Sequence, residues 1–179
     1  MNEHQNHIEH QQGIQHTKTT IGDYLSLVYI FLFIAGATFV EIRFFTKNFA
    51  MFEVIRNFMG FFFLTFGFFK IITWKDFALT YSSYDIIAKR SMAYAYIYPV
   101  IELSLGTSYL LNWQPIITNM LTVVLMSVGS IGVAQNLLSK SLIQCACLGS
   151  FIKVPLSKIS LAEDVLMAVM ALTTLLLLL

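Results

Sequence analysis

Long apolar runs divide the chain into segments of about the length that crosses a lipid bilayer. An α-helix rises about 1.5 Å per residue, so roughly twenty apolar residues span the hydrocarbon core of a membrane. Polar and turn-forming residues separate the runs. The pattern therefore predicts five membrane-spanning helices, at residues 24–45, 57–74, 93–111, 116–138 and 161–179.

The polar stretches between and before these runs differ in character. Residues 1–22 form a polar tail without apolar periodicity, and because no cleavable signal peptide precedes the first run we expect that run to act as an uncleaved anchor. Residues 75–92 mix charged with aromatic and aliphatic side chains, which predicts an interfacial helix or an ordered loop on the bundle. Residues 139–160 form a polar loop before the last run. Apart from the tail, residues 23–179 as a whole, including these two polar stretches, would form one membrane domain.

Composition supports a multi-pass membrane protein. Hydrophobic residues make up 57% of the chain and charged residues only 12%, whereas a soluble domain is about 25% charged. The net charge of +1 and the absence of a basic stripe give no reason to expect a nucleic-acid partner. We therefore expect an all-α helical bundle whose main surroundings are lipid.

The two cysteines of the chain, Cys145 and Cys147, lie one residue apart in the polar loop. A disulfide across a single residue closes a small, strained ring, and strained disulfides tend to be catalytic or regulatory. The nearby Lys140 and Lys153 would favour the reactive thiolate. The pair is therefore a candidate for thiol–disulfide exchange with a partner protein or for electron transfer across the membrane.

Metal binding is an alternative chemistry for the same cysteines. Thiolates select soft ions such as Cu(I), Zn(II) and Hg(II). His4, His7 and His10 recur every three residues in the tail, and a short histidine-rich tract can capture metal ions for transfer to the cysteine pair. A quinone would suit a redox protein, but no residue pattern identifies a site for one. Two further interpretations stay open: the cysteines are inert, and the protein only anchors a partner in the membrane.

Glu102 lies in the middle of the third predicted span. An ionisable group at that depth is costly, which makes it a candidate functional residue. At helical spacing Tyr98, Gly106 and Tyr109 share its face, which we expect to point into the bundle. A proton relay, an ion pair with a basic residue, or a hydrogen bond from protonated Glu102 to a tyrosine would each fit.

Other charged residues near the membrane surface are candidate supporting groups. Lys70, close to the end of the second span, is expected to extend to the lipid headgroups, and Lys70 or Arg90 could instead pair with Glu102. Asp85 and Lys89 have the i,i+4 spacing of a helical ion pair. The start of the last span, from Ser160 to Asp164, matches a helix-capping box followed by a second carboxylate.

Basic residues favour one orientation in the membrane. With five spans, eight Lys and Arg residues lie on the side of the N-terminal tail and the cysteine loop, and three lie on the other. The positive-inside rule then predicts a cytoplasmic N-terminus and a cytoplasmic cysteine pair, although thiol oxidation of exported proteins needs the pair outside. The eight are Lys18, Lys70, Lys75, Lys89, Arg90, Lys140, Lys153 and Lys158; the three are Arg43, Lys47 and Arg56.

Short motifs from Asn57 onward form a recognisable set. They comprise Lys70, Asp76-Phe77, Tyr84-Asp85, Ala88-Lys89-Arg90, Tyr98-Pro99-Val100-Ile101-Glu102-Leu103, Cys145-Ala146-Cys147-Leu148-Gly149 and Pro155-Leu156-Ser157, followed by an acidic start to the last helix. Together they resemble the MauE/DoxX group of small redox-associated bacterial membrane proteins.

The resemblance implies a fold and a function. It implies a four-helix core built from the second to fifth spans, with one extra N-terminal span, in a bacterial cytoplasmic membrane. MauE proteins are linked to methylamine utilisation and to maturation of the disulfide-rich small subunit of methylamine dehydrogenase beside a thioredoxin-like partner. By this likeness, Cys145 and Cys147 would carry thiol–disulfide chemistry for a maturation client. Some relatives are fused to heavy-metal-binding domains.

Overall fold

The fold is all-α over the part of the chain that the structure, a computed structural model, describes: residues 21–47, 50–138 and 158–178. No β-strand occurs in these ranges. The helices are α1 (Ile21–Glu41), continued by a π-helical turn (Ile42–Thr46), α2 (Met51–Ile72), α3 (Trp74–Tyr81), α4 (Met92–Leu110), α5 (Pro115–Leu138) and α6 (Lys158–Leu178).

Helix α2 begins earlier than the apolar pattern indicates, at Met51 rather than Asn57. The polar residues of its first turns are paired. Arg56 and Glu53 form an ion pair at 2.6 Å, and the side-chain amide of Asn57 donates to Glu41 of α1 at 2.7 Å. Paired groups lose less free energy on burial, so the helix tolerates them.

Within the described ranges, four helices are long and apolar enough to cross a membrane: Leu25–Phe45, Met51–Ile72, Pro115–Leu138 and Leu161–Leu178. Helix α4 has 19 residues, about 28 Å, but its tyrosines and Glu102 make it less apolar. It runs antiparallel along α2, with Gly106 beside Gly60 and Leu103 beside Gly67. Helix α4 is not among the four candidate spans, and its crossing of the membrane stays a prediction from the sequence.

Glycines let α2 and α4 approach closely. A Cβ atom added at Gly106 would lie 2.9 Å from the backbone nitrogen of Leu64 and 3.0 Å from the carbonyl oxygen of Gly60. Real side chains do not reach such distances from backbone atoms. The two helices are therefore in backbone contact, as small residues permit in membrane bundles.

The buried residues form two clusters. The larger one joins phenylalanines of α2 to side chains of α1, α4, α5 and α6 in the middle of the bundle. The smaller one lies where α2 ends and α4 begins, and its aromatic members are Phe77, Tyr81, Tyr84 and Tyr98. We call this end of the bundle the tyrosine end. Leu137 in the last turn of α5 and Leu161 near the start of α6 also pack there.

Candidate functional site

A buried ion pair joins α2 to α4 at the tyrosine end. Lys70 Nζ donates to Glu102 Oε1 at 2.5 Å, and the two side chains are 8% and 3% exposed. The sequence predicted either Lys70 or Arg90 as the basic partner of Glu102, and in the structure the partner is Lys70. Arg90 is exposed in the turn before α4.

Aromatic rings surround the ammonium group of Lys70. Its Nζ lies 4.9 Å from the centre of the Tyr98 ring and 5.5 Å from that of Phe77. A cation over an aromatic face is stabilised by the ring quadrupole, more so away from water. The prediction that Lys70 extends to the headgroups is therefore wrong, because Glu102 and the two rings compensate its burial.

The helix face predicted for Glu102 is confirmed. Tyr98, Glu102, Gly106 and Tyr109 of α4 are all buried. At the other end of this face the hydroxyl of Tyr109 lies 3.0 Å from oxygen atoms of Asn119 and Thr122 in α5. These contacts fix the rotation of α4 about its axis and so direct Glu102 towards Lys70.

Asp85 is fully buried in the turn between α3 and α4. Its Oδ1 accepts hydrogen bonds from the backbone N–H groups of Ile87 at 2.9 Å and Ala88 at 2.8 Å. Lys89 is exposed, and the Asp85 carboxylate serves the turn rather than a helical ion pair with Lys89. The turn rests on α5, where a Cβ added at Gly132 would lie 3.1 Å from the Cα of Asp85.

Helix α6 brings two further carboxyl groups to this site. It begins at Lys158, so Glu163 and Asp164 lie in its second turn and not at its cap. Asp164 interacts electrostatically with Lys70, Glu102, Glu163 and Asp85, and its Oδ2 would lie 3.5 Å from a Cβ added at Gly129. The capping-box pattern predicted that these two carboxyl groups mark the start of the helix, so their place in the bundle was missed. The signal available in the sequence was a pair of adjacent acids inside a span.

We call Asp85, Glu102, Glu163 and Asp164, together with Lys70, the carboxylate cluster. Three carboxylate oxygens of the cluster are buried and have no hydrogen-bond partner within the described ranges: Glu102 Oε2, Asp85 Oδ2 and Glu163 Oε1. An acceptor left in this state costs free energy unless something else satisfies it. The described residues therefore leave the hydrogen-bonding capacity of these three oxygen atoms unused.

Four tyrosines cover the cluster on the side of α3. The Tyr81 ring is central: its centre lies 4.5 Å from that of Tyr98, 5.5 Å from that of Tyr84 and 6.4 Å from that of Tyr94. Burial, with the neighbouring Tyr98 and Tyr94 hydroxyls and Asp85, raises the pKa of Tyr81 well above its ordinary value. Tyr81 therefore keeps its proton further into the alkaline range than an exposed tyrosine does.

The residues proposed for thiol and metal chemistry lie outside the described ranges. These are Cys145 and Cys147, between α5 and α6, and His4, His7 and His10 in the tail. The flanking helix ends, through Leu137 and Leu161, pack at the tyrosine end. Among the residues that the structure does describe, no group of three or more His, Cys, Asp or Glu side chains could hold a metal ion.

Comparison with known proteins identifies one family. No curated protein and no solved structure matches the chain. The family model described as methylamine utilisation protein MauE matches residues 48–177, from just before α2 into the last turn of α6. The match covers the helices from α2 to α6 and the segment with both cysteines, and it excludes α1. The chain therefore belongs to the MauE family.

Proposed function

We propose that this MauE-family membrane protein supports protein maturation by thiol–disulfide exchange through Cys145 and Cys147. The observation that carries the proposal is the family match over residues 48–177, which includes the cysteine pair. The protein would act in a bacterial cytoplasmic membrane as a thiol–disulfide oxidoreductase, with a thioredoxin-like protein as its exchange partner.

The exchange would proceed in two balanced steps. A client dithiol attacks the Cys145–Cys147 disulfide, a mixed disulfide forms, and the second client thiol releases it. The client disulfide is then complete, and the pair has gained two electrons and two protons. The reduced pair next passes both electrons and both protons to the disulfide of the thioredoxin-like partner, which regenerates the Cys145–Cys147 disulfide.

The bundle would hold the two helix ends that flank the cysteine segment. The segment joins α5 to α6. Helix α6 contacts α5 where Asp164 lies 3.5 Å from a Cβ added at Gly129, and α5 packs closely against the turn of Asp85 at Gly132. The packing therefore keeps both ends of the segment at the tyrosine end.

The proposal requires the cysteine pair on the outer face of the membrane. The count of basic residues favours the opposite orientation, but it included Lys70. Because Lys70 is buried against Glu102, it adds no charge to the loop and should not be counted. The orientation bias is therefore smaller than the sequence alone indicates.

Trapping the mixed disulfide tests the proposal. A purified thioredoxin-like protein that lacks its second active-site cysteine is incubated with the wild-type protein and with the variants Cys145→Ser and Cys147→Ser. We expect wild type to form a covalent complex that reductant dissolves, and each single variant to lose oxidation of a reduced client peptide. Full client oxidation by both variants would reject the proposal.

Deletion of residues 1–20 separates the thiol hypothesis from the alternatives. Thiol exchange predicts that the deletion is harmless, whereas metal transfer predicts lower metal tolerance of the cells. An anchor function predicts that both cysteine variants and the deletion are silent while a partner is still recovered with the protein. Only the first result agrees with the proposal.

A further inference from the structure

An open cleft lies at the tyrosine end, where the end of α2, the first turn of α3 and the start of α4 meet. Its volume is about 590 Å³, which is within the range of pockets that hold small molecules. We call it the interfacial cleft, and the residues that line it are Ile72, Thr73, Trp74, Lys75, Asp76 and Tyr96. None of them takes part in the ion pair of Lys70 and Glu102.

A contact between α3 and α4 fixes two aromatic walls of the cleft. The indole Nε1 of Trp74 donates to the backbone carbonyl oxygen of Tyr96 at 2.7 Å. The centres of the two rings lie 6.3 Å apart, and their planes meet edge to face at 68°. The hydrogen bond ties the start of α3 to the start of α4, so both rings are held in place, and the indole N–H group already has its acceptor within the protein.

The cleft lies at the level of the lipid headgroups. Helix α2 is long and apolar enough to cross a membrane, and it ends at Ile72, whose side chain is 51% exposed. The turn after α3 packs against Gly132 of α5, and α5 continues from there to Leu138, about 9 Å further along its axis. Helix α3 therefore lies beside the end of a span, the depth at which tryptophan and tyrosine are enriched in membrane proteins.

Two opposite charges line the cleft without pairing with each other. Lys75 and Asp76 are neighbours in the first turn of α3, and adjacent side chains on a helix do not face each other. Both are exposed, and within the described ranges neither side chain forms an ion pair or a hydrogen bond. An ammonium donor and a carboxylate acceptor are therefore both available to a ligand that carries one charge of each sign.

We propose that the interfacial cleft binds the headgroup of phosphatidylethanolamine. The ammonium group of Lys75 donates to the phosphate of the lipid. The ammonium group of the lipid donates to the carboxylate of Asp76, which the quaternary ammonium of phosphatidylcholine cannot do because it has no N–H. Ile72 and the aromatic walls contact the glycerol and the first acyl carbons. An anionic lipid such as phosphatidylglycerol fits less well, because Asp76 repels it. This site is separate from the proposed thiol chemistry.

Quenching of Trp74 fluorescence by brominated lipids tests the inference. The chain has two tryptophans, so Trp113→Phe leaves Trp74, in the cleft, as the only reporter. This variant is reconstituted in phosphatidylcholine bilayers with an equal small fraction of brominated phosphatidylethanolamine, phosphatidylcholine or phosphatidylglycerol. Because the ion pairs are exposed, we expect a binding constant for phosphatidylethanolamine roughly twofold to fivefold above that for phosphatidylcholine. Asp76→Asn should abolish this preference.

Two controls locate the preference in the cleft. Lys75→Gln should lower quenching by brominated phosphatidylethanolamine, whereas Lys89→Gln should not, since Lys89 is an exposed basic residue at the same end that does not line the cleft. In Trp74→Phe the reporter is Trp113, in the turn between α4 and α5 at the other end of the bundle, and it should show no preference.

Four results would each overturn the inference. Equal quenching of Trp74 by the three lipids would show that the cleft has no headgroup selectivity. Stronger quenching by phosphatidylglycerol would show that the cleft serves an anionic lipid. A preference that persists in Asp76→Asn would exclude the carboxylate as its cause, and the same preference at Trp113 would show a property of the whole bilayer.

Discussion

Lys70 Nζ and Glu102 Oε1 lie 2.5 Å apart, and the pair links the end of α2 to the middle of α4 inside the bundle. Neither residue would be tolerated alone at this depth, because a single charge in an apolar bundle has lost its hydration without gaining a partner. The pair explains why α2, which contains Lys70, and α4, which contains Glu102, pack together along their length.

Removal of one partner should destabilise the protein strongly. Lys70→Met leaves Glu102 without its cation, and breaking a buried ion pair lowers the free energy of unfolding by about 3–5 kcal/mol. We expect a loss at the lower end of this range, since Glu102 can take up a proton. The double variant Lys70→Met/Glu102→Leu should be closer to wild type in thermal unfolding in detergent, and the exposed Lys89→Met should match wild type. Additive losses in the double variant would contradict an interacting pair.

A side chain at Gly106 should destabilise the protein, because α2 and α4 are too close there to accommodate it. Gly106→Ala places a methyl group 2.9 Å from backbone nitrogen, and we expect a loss of about 1–3 kcal/mol in the free energy of unfolding, typical of overpacking. Gly36→Ala in α1 is the matched control, because no atom lies within 4 Å of its added Cβ. Equal stabilities of the two variants, measured by denaturant unfolding in detergent, would disprove the close approach.

Asp85 should act through its hydrogen bonds to the turn. Asp85→Ala removes the acceptor for the N–H groups of Ile87 and Ala88, at about 1 kcal/mol each. Asp85→Asn keeps one acceptor oxygen and should lose less than Asp85→Ala in the same unfolding measurement. If Asn were as damaging as Ala, the charge of Asp85 rather than its hydrogen bonds would hold the turn.

Alkaline pH should weaken the tyrosine end. The raised pKa of Tyr81 means that the folded state keeps a proton that the unfolded state releases. The stability due to this group is constant below about pH 10, the ordinary tyrosine pKa, and falls as pH rises further. Tyr81→Phe should reduce this fall in melting temperatures measured across alkaline pH. The exposed Tyr29→Phe should not, and an identical fall in both variants would refute the assignment.

The sequence predicted the fold more completely than the site. Apolar runs locate the long helices because burial in lipid requires continuous hydrophobic length. The polar starts of α2 and α6 were missed, since Arg56 pairs with Glu53, and α6 begins at Lys158 before its apolar run. These are tertiary and boundary effects that a hydropathy pattern does not record.

The site was predicted in part. Depth in a span identified Glu102, and helical spacing identified its buried face. The choice of Lys70 over Arg90 depends on which helix packs against α4, which spacing along one helix cannot reveal. Asp164 was interpreted as a helix-start residue, and only the packing of α6 against α5 brings it to Lys70 and Glu102.

Labelling of the cysteines in intact cells tests the proposed function most directly. A membrane-impermeant maleimide is applied to cells with and without prior reduction, with Cys145→Ser/Cys147→Ser as the blank. Thiol–disulfide exchange at the outer face predicts labelling only after reduction, because the resting pair is a disulfide. Labelling without reduction would show free thiols, and labelling only after permeabilisation would place the pair in the cytoplasm; either result contradicts the proposal.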